Sequence, residues 1–415
     1  MKNHKQINLT RTACIGMLAC TILFGLGACK HPPSSDCLSP HAPTGPVKDI
    51  VVFGDSLSDT SNFFTIVNHT FPLVDLRLES PPASHQGRAF SDQCLPLEYV
   101  ARHYKIALEP AWFVANEKGR RQISTYKPQD DSNIIFEALI APPHPIKKQK
   151  TEDRQLIKEH LEILKANMPL FGAKATKNNY AVVNTTLRSD YSGFINEWFN
   201  TFAVDKQIAL FKQNAVRTDL ESTVFIIMAG GNDLMNILTD SEISSSEDIN
   251  ELNKVTVALE SYIQELLDFG ARHILVIGPP DIGFIPIFYG SNYQESAHKL
   301  STLLEGMIGK RIQDTFKQSE VGWLPIQEPI KEILSKWPLP IRYQAALSDI
   351  ANRSFSIPHF IATGGELKVK YINNSSLSKI KADEYPFFDY VHGTHATYQP
   401  LADYIIEAID ELVAR

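Results

Sequence analysis

A serine hydroxyl becomes a useful nucleophile only when a neighbouring base takes its proton. In this 415-residue chain, Ser56 is the serine placed to be presented that way. It follows the apolar run Ile50-Val51-Val52-Phe53, whose β-branched and aromatic character suits a buried strand. The apolar pattern stops at Gly54, so Ser56 is predicted to lie on a turn at the strand's carboxyl end. Open α/β sheets bind their ligands at that edge. Near the other end of the chain, His392 can serve as base, and Asp389, three residues earlier, can orient the ring and stabilise the imidazolium. His395 competes for the same role on position alone. The arrangement is not the nucleophile elbow of the α/β-hydrolases, because residue 58 is serine and Gly-x-Ser-x-Gly fails. By itself, Gly54-Asp55-Ser56 also reads as an ordinary turn with capping side chains. Asn232 and Asp233 likewise read as candidate helix caps.

The motifs occur in a fixed order. Gly54-Asp55-Ser56-Leu57 comes first, then Gly87-Arg88-Ala89-Phe90-Ser91-Asp92, Asn179-Tyr180-Ala181-Val182, Gly230-Gly231-Asn232-Asp233, Pro280-Asp281-Ile282-Gly283-Phe284-Ile285-Pro286 and Asp389-Tyr390-Val391-His392. In this order they resemble the GDSL, or SGNH, family of serine lipases and esterases, over residues 49 to 412 with one large gap. The resemblance implies Ser56, Asp389 and His392 as catalytic residues, and favours His392 over His395. It also implies an oxyanion hole formed by the Asn232 amide and the Ser56 backbone N–H, such as an ester's tetrahedral intermediate requires. The family's third donor is a glycine of the second block. Gln93 stands at that position and Gly87 is the alternative, so the donor is open. Two further departures are Gly393 where the family has proline, and Val183-Asn184-Thr185 where it has Gly-Gly-Ala. The implied fold is α/β: three layers (αβα) around a flavodoxin-like, mainly parallel sheet, with a large insertion.

The resemblance carries a function as an expectation: an exported serine hydrolase of carboxylic acyl esters, needing neither cofactor nor metal. Gly270-Ala271-Arg272-His273 before an apolar strand, together with the Pro280–Pro286 segment, is similar to bacterial phospholipases and lysophospholipases. It is also similar to their glycerophospholipid:cholesterol acyltransferase-like relatives. Phospholipid or lysophospholipid is therefore the expected substrate, with a sterol as an acyl acceptor in the transferase case. Two alternatives stand beside it: a carbohydrate acetylesterase, and a catalytically silent lipoprotein that binds a lipid or a partner. The absence of zinc-type Cys/His spacing, of Gly-x-Gly-x-x-Gly and of a phosphate loop gives no competing motif.

These residues need elements to position them. Hydrophobic content of 43% and charged content of 21% suit one large globular α/β domain or two small ones. Residues 1–28 carry Lys2, Lys5 and Arg11, no acid and an apolar run, which reads as a secretory leader. Leu26-Gly27-Ala28-Cys29 resembles the lipobox of bacterial lipoproteins, which implies lipidation of Cys29 and a membrane anchor. Lys30, by the same analogy, points to the outer membrane. Loss of the leader takes the formal charge from −7 to −10, which argues against a nucleic-acid partner. A proline-rich tether follows to residue 48, and the domain runs from 49 to 415 with its insertion at about 111–178. Cys37 and Cys94 remain beside Cys29; an oxidising compartment would allow their pairing, which spacing alone does not establish. Beyond the first strand, apolar periodicity predicts strands at 224–228, 273–277 and 321–326. It predicts helices at 95–104, 249–269, 296–316 and 401–412. The alternation indicates a mainly parallel sheet covered on both faces. The insertion, rooted after the second block and before Asn179, is expected to begin and end near the edge that carries Ser56, where it could act as a lid.

Overall fold

Alternate residues of a strand face opposite sides of the sheet, and the run from Ile50 to Phe53 is apolar on both. A computed structural model describes residues 37, 43, 45–70, 77–79, 89–114, 171–173, 176–192, 196, 199–215, 219–238, 246–346, 368–370 and 384–415. In it, β1 (Asp49–Gly54) turns Val51 and Phe53 to one face, and Ile50 and Val52 to the other. Helices cover both faces, as the unbroken apolar run requires. The expected leader, Cys29, Gly87 and the centre of the insertion lie outside the described residues.

After β1 come α1 (Asn62–Thr70), β2 (Arg77–Glu79), α2 (Pro96–His103), β3 (Trp112–Val114), β4 (Phe171–Ala173) and α3 (Val204–Asn214). Then follow β5 (Thr223–Met228), α4 (Gly231–Ile237), α5 (Ser246–Phe269), β6 (His273–Ile277) and α6 (Gln294–Thr315). The chain closes with β7 (Val321–Leu324), α7 (Gln327–Leu334), β8 (Lys368–Lys370) and α8 (His395–Val413). The helix expected from residue 249 starts at Ser246, where Glu247 and Asp248 place acidic side chains in its first turn and complement the helix dipole.

The main sheet is parallel, in the order β1-β5-β6-β7. Residues 178–182 run along the free edge of β1. Val52 donates to the Asn178 carbonyl at 2.9 Å, Tyr180 to that of Val52 at 2.8 Å and Val182 to that of Gly54 at 3.1 Å. Counted as a strand, this segment gives the chain order 2-1-3-4-5, that of a flavodoxin-like sheet. In such a sheet the strand order reverses between the first and third strands, here β1 and β5, and a crevice opens at their carboxyl ends.

One layer packs α3, α4, α5 and α6 against Val51, Phe53, Phe225, Ile227, Ile274 and Val276. The other packs α2, α7 and α8 against Ile50, Val52, Val224, Ile226, Leu275 and Ile277. The expected three-layer αβα architecture is therefore present. β3 and β4, at the two ends of the insertion, pair antiparallel with each other. Ala111 donates to the Asn179 carbonyl at 2.8 Å, and Trp112 donates its N–H to the Asn62 side chain at 3.1 Å. The roots of the insertion thus sit on the outer side of residues 178–182, level with Val52 of β1, and reach Asn62 at the start of α1. Among the described residues, no helix is long and apolar enough to cross a membrane.

Candidate active site

The turn after β1 is held by its own aspartates. Asp55 accepts the Leu57 N–H at 3.0 Å. Asp59 accepts the N–H groups of Ser61, Asn62 and Phe63, which starts α1, and that of Val183 across the sheet edge. Gly54 has to be glycine: a Cβ there would lie 2.5 Å from the Met228 carbonyl oxygen of the neighbouring strand. Burial pushes the carboxyl of Asp55 up to about 7, opposed by the Leu57 N–H and by His392. Burial also pushes Asp59 up to about 6 against its four backbone donors.

Ser56 and His392 are 336 positions apart in sequence, yet the hydroxyl lies 2.8 Å from the imidazole Nε2. Asp389 meets Nδ1 with both oxygens, at 2.9 and 2.8 Å. Its Oδ1 also accepts the N–H groups of Val391 and His392, each at 2.8 Å. This closes the Asp389–His392 turn and keeps the ring's proton on Nδ1, so the Nε2 lone pair faces the serine. All three residues are buried. Phe90 stacks on the imidazole with ring centroids 4.7 Å apart.

His395, the competing base, points elsewhere. Its Nδ1 pairs with Asp92 and its backbone N–H donates to the same carboxylate at 2.7 Å. The second block thereby braces the start of α8. Gly393 is locked in a way the sequence did not reveal. Its N–H donates to the Tyr398 hydroxyl at 2.8 Å, and a Cβ on it would come within 2.7 Å of the Tyr398 ring. A proline here would lose the bond and meet the ring, so glycine at 393 goes with tyrosine at 398.

On the β5 side, the Asn232 side-chain amide donates to the Thr185 carbonyl at 2.9 Å. That leaves the amide's second hydrogen for a ligand. Neither Asn232 nor Asp233 caps α4, contrary to the capping expectation. Gly230 occupies the N-cap, and the start of α4 has no side-chain cap hydrogen bond. Asp233 instead accepts from the N–H groups of Leu187 and Arg188 and from the Tyr191 hydroxyl. Burial pushes its carboxyl up to about 6 against those donors. Asn184 takes a left-handed φ of 57°, in the stretch where the resemblance led one to expect glycines. Asparagine tolerates that region. Of the two candidates for the third oxyanion donor, Gln93 directs its N–H at Ser91 Oγ, 3.4 Å away, and Gly87 is outside the described residues. Cys37 and Cys94 form a disulfide, which fastens the second block to the segment entering the domain.

Two residues at this site lie outside the motifs, Tyr398 as the partner of Gly393 and Gln207; Phe90 belongs to the second block, but its place over the His392 ring did not follow from it. Gln207 is a glutamine of α3 outside any motif, bonded to Gly54 at both its N–H and its carbonyl.

A serine–histidine–aspartate chain at the strand-order reversal of a parallel α/β sheet defines a class of architecture rather than one protein. Residues 50–405 match the family described as GDSL-like Lipase/Acylhydrolase, and the chain belongs to that family. It is also similar to a GDSL esterase/lipase of Arabidopsis thaliana, at 23% identity over 229 residues. That alignment covers 51% of this chain and 60% of the plant protein, so the chain spans less than two thirds of that relative's length.

Proposed function

We propose that this chain is a serine hydrolase of carboxylic acyl esters, with Ser56 as nucleophile, His392 as general base and acid, and Asp389 as the residue that orients and supports His392. The observation that carries this reading is the continuous contact from Ser56 Oγ to His392 Nε2 and from Nδ1 to Asp389. The hydroxyl attacks the ester carbonyl as its proton passes to Nε2, and the carbonyl oxygen becomes an oxyanion. The Asn232 amide and the Ser56 N–H are the proposed donors to that oxygen. The imidazolium then gives its proton to the departing alcohol, leaving an acyl-serine. Water, or another alcohol in the transferase case, attacks that acyl group with His392 again as base.

Membership of a lipase/acylhydrolase family supports an acyl-ester substrate. We place the preference on phospholipid or lysophospholipid, because Gly270-Ala271-Arg272-His273 and the Pro280–Pro286 segment resemble the phospholipase-like members. Export with a lipid on Cys29, at the cell envelope, belongs to the same reading and rests on the lipobox resemblance. So does a covering role for the insertion, supported by the contact of its root with Asn62, six residues after Ser56.

Ser56→Ala tests the central claim. The variant is expected to fold as wild type and to lose nearly all hydrolysis across a panel of phospholipid, lysophospholipid, triglyceride and acetylated-sugar substrates. Wild-type turnover by a folded Ser56→Ala protein would refute the assignment. In the wild type, the panel separates lipid from acetylated-carbohydrate substrates. Mass spectrometry of the mature N-terminus tests the anchor.

A further inference from the structure

Gln207 lies on α3, outside every recognisable motif, and is completely buried. α3 does not need it for packing, since Val204, Ile208 and Phe211 on the same helix are each buried in the core. A glutamine amide buried among such residues is costly unless its polar atoms are bonded, and here all of them are. Oε1 accepts the Gly54 N–H at 2.9 Å. Nε2 shares its two hydrogens among the Gly54 carbonyl at 2.9 Å, the Phe202 carbonyl at 2.9 Å and Thr185 Oγ1 at 3.1 Å.

The two ends of this network are the two halves of the site. Gly54 closes β1, two residues before Ser56. Thr185 donates its hydroxyl to the Phe202 carbonyl and, through its own carbonyl, receives the Asn232 amide. One side chain therefore touches the backbone that presents the nucleophile and the residue that aims the oxyanion donor. The backbone ties them once more, since Val182 donates to the Gly54 carbonyl at 3.1 Å and accepts the Thr185 N–H at 3.2 Å; Gln207 is the side-chain link, and it alone holds both backbone groups of Gly54 and the Thr185 hydroxyl.

We infer that Gln207 is a positioning residue that sets the spacing between the Ser56 turn and the Asn232 amide. The inference rests on the roles proposed above for Ser56 and Asn232. With one amide hydrogen of Asn232 spent on Thr185, the direction of the other is fixed by where Thr185 stands. Gln207, together with the Val182 backbone, holds that position relative to Gly54. Misplacing such a group by about 1 Å can cost on the order of a hundredfold in rate.

The test is a double-mutant cycle on a soluble short-chain ester, p-nitrophenyl butyrate, with folding followed by circular dichroism. Asn232→Ala is expected to lower kcat by about 10²–10³, the cost of one oxyanion donor. Gln207→Met should lower kcat by about 10–100-fold with KM held within about twofold, because the loss falls on the transition state. The double variant should be no slower than Asn232→Ala alone, since the link has nothing left to position. Should Gln207→Met fail to fold, Thr185→Val takes its place in the cycle: it keeps the carbonyl that Asn232 uses and removes the hydroxyl that Gln207 uses. Wild-type kcat in a folded Gln207→Met protein would overturn the inference. So would multiplication of the two effects in the double variant, which would mark Gln207 as a structural residue only. Asn232→Ala with wild-type kcat would instead overturn the oxyanion reading itself, and the inference with it.

Discussion

Asp389 carries three duties at once, and they separate the two histidines of its loop. Its carboxylate receives the His392 ring and the N–H groups of Val391 and His392, so orientation of the base and closure of the turn depend on the same two oxygens. Replacing it with asparagine keeps an acceptor but weakens support for the imidazolium. Asp389→Asn is therefore expected to lower kcat, yet by less than His392→Ala, which removes a general base worth about 10²–10⁴. His395→Ala should keep substantial activity. Loss of all activity in His395→Ala together with its survival in His392→Ala would reverse the choice of base. Gly393 gives a second prediction. Although the family pattern has proline there, Gly393→Pro should lower both Tm and kcat, because the Tyr398 hydroxyl loses its donor and its ring meets the new atoms. Kinetics and thermal unfolding of that variant check this; an unchanged Tm would mean that the Tyr398 contact does not constrain the loop. Ser56, His392 and Asp389 were legible because each sits in a short motif whose residue types state their chemistry. Gln207 was not, because its contact with Gly54, 153 positions away, arises only when distant segments meet, and Tyr398 was not, because its bond to the nearby Gly393 depends on how the loop enters α8.

The elements that were easiest to read were long and periodic. α5 repeats its buried positions from Leu252 to Leu266, and β5 and β6 are unbroken apolar runs. The short helices α1, α3 and α7, of 9, 11 and 8 residues, carry fewer repeats and take their stability from the core they close. Asn179–Val182 was visible as a motif but not as a strand, since the segment around it meets β1 through only three backbone hydrogen bonds. The second block shows what connections between elements can do beyond spacing. Its Phe90 covers the His392 ring, its Asp92 holds the start of α8, and its Cys94 is tied to Cys37. Cutting the last tie should reach the other two. A Cys37→Ser/Cys94→Ser variant is expected to lose up to about 4 kcal/mol of stability, given the separation of 57 residues. Its kcat should fall as Phe90 loosens, with reductant reproducing both effects in the wild type. Lower stability with wild-type kcat would show that the disulfide holds the chain but not the imidazole.

At the scale of the whole molecule, the order of the strands places the site, and composition or periodicity could not supply that order. Alternating elements indicated a parallel sheet, but the reversal between β1 and β5 emerges only when residues 178–182 fold back beside β1. Three carboxyls are buried around this reversal, Asp55, Asp59 and Asp233, and each is pushed above its usual 3.8, to about 7, 6 and 6. In the unfolded chain they would titrate near 3.8, so between roughly pH 4 and 7 the folded protein binds protons that the unfolded chain does not. Their contribution to stability is then fully present below about pH 4 and is lost as pH rises through 6 to 7. Asp55→Asn isolates one of them, since asparagine keeps an oxygen for the Leu57 N–H without a charge to desolvate. Urea unfolding should find this variant more stable than wild type at about pH 8 and no more stable at about pH 3.5, where Asp55 is neutral in the folded wild type and largely neutral in the unfolded chain. An equal difference at both pH values would show that Asp55 does not change its proton on folding.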